Sequence, residues 1–69
     1  MKARVIEKKI RAAGGVLVRQ RGSHRLFVVH ADGKTARTTL PYHGGDVPKG
    51  TVRAIERDLE PVLGKGWLR

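Results

Sequence analysis

The chain contains no cysteine. Disulfides and thiolate-bound metals are therefore excluded as staples, and a reducing compartment is compatible with the sequence. Aromatic residues are almost missing: Phe27, Tyr42 and Trp67 are the whole set. Sheets that bind single strands stack bases on aromatics, so this scarcity argues against base-specific reading and for backbone recognition. No apolar run approaches the ~20 residues of a membrane span. Residues Met1 to Lys8 lack the apolar segment of a secretory signal. Acidic residues are few as well: six Asp and Glu stand against fifteen Lys and Arg, a net charge of +9 on 69 residues. Together these shortages point to a soluble cytoplasmic protein with no membrane partner.

The excess of positive charge costs self-repulsion and attracts nucleic acid or an acidic protein. It is spread along the chain, unlike a basic tail. At this size roughly 60% of the unfolded surface can be buried, so one small domain spanning residues 1–69 with a thin core is expected.

The order of elements is readable. Ala3, Ile6, Ile10 and Ala13 recur at helical steps, and Gly14-Gly15 ends that helix. Val16 to Gln20 and Arg25 to His30 read as strands, followed by an Ala31-Asp32-Gly33-Lys34 hairpin turn. Thr35 to Leu40 is a third strand, closed by Pro41. A second helix begins between Pro48 and Thr51 and runs to about Glu60, with Val52, Ile55 and Leu59 as its stripe. Pro61 is expected to limit it. The segment Gly64 to Arg69 has no clear period. The fold class is α+β in the order α-β-β-β-α, a three-stranded antiparallel sheet backed by two helices. In the second strand both sides carry apolar residues, so alternation leaves open which side meets the helices.

Gly22-Ser23-His24 stands at the junction of the first two strands. Imidazole, with a pKa of about 6.5, takes and returns protons near neutrality. Metal-free RNA cleavage needs a base for the ribose 2′-OH and an acid for the leaving 5′-oxygen, with cations on the phosphorane. His24 fits one of those roles, or is a surface histidine at a turn. Gly22 permits close approach of RNA or forms a bulge; Ser23 donates to phosphate or holds its own turn. Arg21 and Arg25 flank the turn and are the best phosphate contacts, with Arg19 on the same strand side as Arg21. Lys49 and Arg53, near the start of the second helix, are further basic candidates. His30 lies six residues along the strand from His24, near 20 Å, too far to share a phosphate. His43 is read first as a loop residue, with a second acid-base group or an RNA contact as alternatives; Tyr42 first as a packing residue, with stacking on a base as the alternative; Phe27 as a core residue; and Trp67 as a core cap or a partner contact. Three histidines without ligand-like spacing predict no metal site and no cofactor.

Gly14-Gly15, Gly22-Ser23-His24, Pro41-Tyr42-His43-Gly44 and Lys49-Gly50-Thr51-Val52-Arg53-Ala54-Ile55, in this order and spacing, resemble the HicA-type mRNA interferase toxins. The resemblance runs from about residue 1 to 60. It implies a double-stranded-RNA-binding-domain-like fold, mRNA cleavage that blocks translation, and neutralisation by a HicB-type antitoxin. It maps the family's catalytic histidine onto His24 and its basic helix opening onto Lys49 and Arg53. The chain departs at Pro61 and Gly64-Lys65-Gly66-Trp67, where the family would end sooner. Beside a ribonuclease toxin, the residues also fit a non-catalytic RNA-binding module or a domain that docks an acidic protein.

Overall fold

The computed structural model describes residues 1–69. Its elements are α1 (Ala3–Ala12), β1 (Val16–Arg21), β2 (His24–Ala31), β3 (Lys34–Pro41) and α2 (Lys49–Leu63). The strands form one antiparallel sheet in the order β1-β2-β3. The α-β-β-β-α order is the one the sequence predicts.

Helix α1 turns Ala3, Ile6 and Ile10 inward and leaves its basic residues to solvent. The chain then doubles back tightly: a Cβ on Gly15 would stand 2.3 Å from Ile10 Cγ2 and 2.8 Å from its carbonyl oxygen. Only glycine lets β1 leave the helix this closely. The β2–β3 hairpin closes on Asp32 and Gly33, both at positive φ (51° and 76°), as a two-residue Asp-Gly turn requires.

One face of the sheet is covered by the helices. Phe27, Val29 and Leu40 are buried there against Ile6, Ile10, Ile55 and Leu59. This settles the orientation the alternation left open: Arg25, Phe27 and Val29 point to the helices, while His24, Leu26, Val28 and His30 point to the uncovered face.

Helix α2 departs from the expected end. Pro61 lies inside it, and the helix continues to Leu63 before Gly64 closes it. Pro61 is exposed, while Leu59 before it and Val62 and Leu63 after it pack on the core. That packing outweighs the amide hydrogen bond the proline removes. Beyond Gly64 the chain folds back. Leu68 is buried, and the Trp67 indole Nε1 donates to the Glu56 carbonyl at 2.7 Å. The aperiodic ending is thus part of the core.

Candidate active site

The β1–β2 connection is a two-residue loop, Gly22-Ser23, with Arg21 and His24 paired across it. Gly22 has φ +56°, in the left-handed region that a side chain disfavours, and stands first in the loop, as a tight hairpin prefers. The loop fixes the register on either side. His24 is therefore the first residue of the central strand and belongs to the ladder itself. It faces Arg21 on one side and Pro41 on the other, with opposed Cα atoms about 5 Å apart. Its ring is exposed, and none of the side-chain hydrogen bonds uses it.

A bulge brings a second arginine close. The pairing shifts between Leu17 and Arg19, so that Val16, Arg19 and Arg21 oppose Val28, Leu26 and His24 in turn. All six side chains share the uncovered face. Arg19 is one pair along from His24, within diagonal reach of long side chains. Arg37, opposite Val28, joins the same face further along. None of these three arginines takes part in an ion pair. None of the six carboxylates stands on this face: Glu7 is on α1, Asp32 in a turn, Asp46 in a loop, and Glu56, Asp58 and Glu60 on α2. A phosphodiester laid beside His24 would meet cations and no competing anion.

Arg25 is elsewhere. It points to the helix side, where its guanidinium donates to Glu7 at 2.6 Å and lies 3.8 Å from the centre of the Tyr42 ring. Tyr42 in turn donates its backbone N–H to the Ser23 carbonyl. Arg25 therefore ties α1 and the Tyr42 loop together beneath the turn that carries His24. No local spacing announces this: Glu7 and Arg25 are 18 residues apart. Lys49 and Arg53 also belong to the helix layer, lining a groove of about 400 Å³ with Met1, Val47, Val52 and Leu68. His30 is at the far end of β2, bonded to Thr35 Oγ1 at 2.6 Å. His43 is exposed, two residues past the ladder partner of His24. No three of His, Asp and Glu gather in a way that could hold a metal ion. No helix is long and apolar enough to cross a membrane.

The structure thus unites Arg21, Gly22, Ser23 and His24, adds Arg19, and separates Arg25, Lys49 and Arg53 from that group. No curated protein and no solved structure matches the chain. The family model for the HicA toxin of bacterial toxin–antitoxin systems matches residues 3–60, a span from the first turn of α1 to Glu60 in α2. With so much of its length matched, the chain belongs to the HicA toxin family, the toxin half of a bacterial toxin–antitoxin pair, and an antitoxin partner comes with that membership.

Proposed function

We propose that this toxin is a metal-independent endoribonuclease that cleaves mRNA in the cytoplasm, inhibits translation, and is neutralised by a HicB-like antitoxin. The observation that carries the reading is the position of His24. A proton-transfer group begins the central strand on a carboxylate-free face, with Arg21 directly opposite and Arg19 beside it.

The chemistry follows from those groups. The RNA backbone lies along the β1–β2 hairpin with the scissile phosphate at His24. His24 acts as general base on the 2′-OH or as general acid on the leaving 5′-oxygen. The Arg21 and Arg19 guanidinium groups bind the non-bridging oxygens and stabilise the phosphorane as its charge grows. Gly22 keeps the turn free of side chain so that the backbone can approach, and Ser23 supplies a hydroxyl beside it. Arg25 acts beneath the site through Tyr42 and Glu7, while Lys49 and Arg53 lie outside this contact set. The antitoxin neutralises the toxin by covering His24.

One experiment tests the core of this reading. In His24→Ala, growth arrest and RNA cleavage should fall by at least a hundredfold, with the melting temperature unchanged, because an exposed side chain leaves no cavity. The parent protein should cleave in excess chelator and leave 2′,3′-cyclic phosphate ends, the product of 2′-OH attack. Full cleavage by a folded His24→Ala protein overturns the catalytic assignment. Dependence on added Mg²⁺, or 5′-phosphate ends alone, overturns the metal-independent mechanism.

A further inference from the structure

Tyr42 is held more firmly than a loop residue needs to be. It follows Pro41, the ladder partner of His24, and its N–H is bonded to Ser23 in the His24 turn. One face of its ring is covered by the Arg25 guanidinium, 3.8 Å from the centroid. That guanidinium is itself fixed by Glu7 on α1 at 2.6 Å. A chain of carboxylate, guanidinium and phenol therefore sets the ring in one plane beside the candidate active site.

Tyr42, partly buried against the core, also lines a cleft between the start of α1 and the loop after β3. Lys2, Ala3, Arg4, Tyr42, His43, Gly44 and Gly45 surround about 490 Å³, a volume within the range of small-molecule sites. No carboxylate lines it. Arg4 is in no ion pair, and Lys2 has only a long one, 3.8 Å, to the exposed Asp46. Gly44 and Gly45 contribute backbone alone, and a Cβ on either would project into open space.

Resting on the ribonuclease reading, we propose that this cleft binds one nucleotide of the RNA next to the cleaved phosphate, its base against Tyr42 and its phosphate against Lys2 and Arg4. The chemistry of the walls selects that ligand. A fixed aromatic plane recognises a base face, two cations recognise a phosphate, and side-chain-free backbone gives an edge on which a base can hydrogen-bond. The cleft lies on the helix side of the sheet, at the end of β3 where Pro41 pairs with His24, so a strand whose scissile phosphate lies at His24 reaches it by passing round that end. The cleft then gives cleavage a base preference at one fixed position beside the cut. Free mononucleotides carry the same chemistry and bind more weakly, since they lack the contacts of the strand to Arg19 and Arg21.

The test uses the full chain with His24→Ala, which holds RNA without cutting it, and short single-stranded RNAs carrying 2-aminopurine at successive positions. Fluorescence should be quenched at one position only. Adding Tyr42→Leu should abolish the quench and weaken binding about tenfold, the loss of one base–aromatic stack. Tyr42→Phe should bind within about twofold of the parent. Lys2→Gln with Arg4→Gln, both on the exposed wall, should weaken binding about fivefold at low salt even if the Tyr42→Leu protein fails to fold. With His24 intact, Tyr42→Leu should broaden the base preference of the cleavage sites at that position. Equal binding by all variants, or quenching spread evenly along the RNA, overturns the cleft as a subsite. So does binding of free AMP or UMP in the cleft without any effect of these substitutions on RNA. If the parent protein cuts no RNA, the ribonuclease reading fails, and the quench still decides whether the cleft takes a base.

Discussion

Arg21 and Arg25 stand on either side of His24 with the same chemistry, and the pleat sends them to opposite faces. Arg21 faces His24 across the hairpin without an ion pair. Arg25 is bound to Glu7 and stacked on Tyr42. Its side chain is 24% exposed and that of Glu7 only 12%, so this pair is only partly screened. Its contribution is further offset by the Arg25 Nε, which is buried with no partner. Substituting each by glutamine should therefore give opposite phenotypes. Arg21→Gln should leave stability within about 0.5 kcal/mol, as an unpaired surface residue does, and weaken RNA binding. Arg25→Gln should cost about 1–2 kcal/mol, less than the loss on breaking a fully buried pair, because water reaches part of it. Urea denaturation of the two variants, read against RNA affinity of the folded proteins, checks the contrast. Equal stability of both would mean that the Glu7–Arg25–Tyr42 chain holds nothing in place.

At the scale of elements the end of the chain is the instructive part. The family match stops at residue 60, and Gly64 to Arg69 shows no clear period in sequence. Yet Leu68 is 1% exposed, and Trp67 hydrogen-bonds the Glu56 carbonyl inside α2. Leu68→Ala should cost about 2–4 kcal/mol, as buried leucine truncations do. That is a large share of the total stability of so small a domain. The measurement is the urea midpoint, and a shift worth less than about 0.5 kcal/mol would show that the tail only rests on the surface. The two helices, the three strands and the second hairpin were legible because their signals are local: period, β-branching and Asp-Gly. The end of α2 was not, because a rule about proline and its preceding residue carries no information on what Val62 and Leu63 bury. Which sheet face meets the helices was also closed to the sequence, since Leu26 and Val28 are as apolar as Phe27 and Val29. Of the candidate site, Gly22-Ser23-His24 was readable as the junction of the first two strands with Arg21 beside it, but the place of Arg21 and His24 in the ladder was not, since both lay outside the predicted strands. The displacement of Arg25 was not, since it depends on a partner on another element.

For the whole molecule the decisive property is how charge is divided. The net charge is +9, but every carboxylate lies in the helix layer or a connecting loop or turn, where Glu7, Asp46 and Glu56 pair with local cations and Asp58 accepts from Thr38. The uncovered sheet face keeps Arg19, Arg21 and Arg37 without partners. The helices carry unpaired cations too, but a polyanion that reaches the sheet face meets these arginines beside His24 with no carboxylate among them. RNA affinity should fall steeply with salt, with a log-log slope of about −0.7 for each phosphate contacted on a single strand. Arg21→Gln should reduce the magnitude of that slope by about 0.7, one contact's worth. Arg25→Gln should leave the slope unchanged in the folded protein, because its charge is already satisfied. His24→Ala should change cleavage far more than affinity. On the proposed reading the antitoxin should compete with RNA for this face, so adding it to RNA-bound His24→Ala protein should release the RNA. Labelled-RNA titrations at several salt concentrations, with and without antitoxin, measure all of these at once. A slope indifferent to Arg21, or a ternary complex with RNA held at full strength, would place both partners somewhere other than the sheet face.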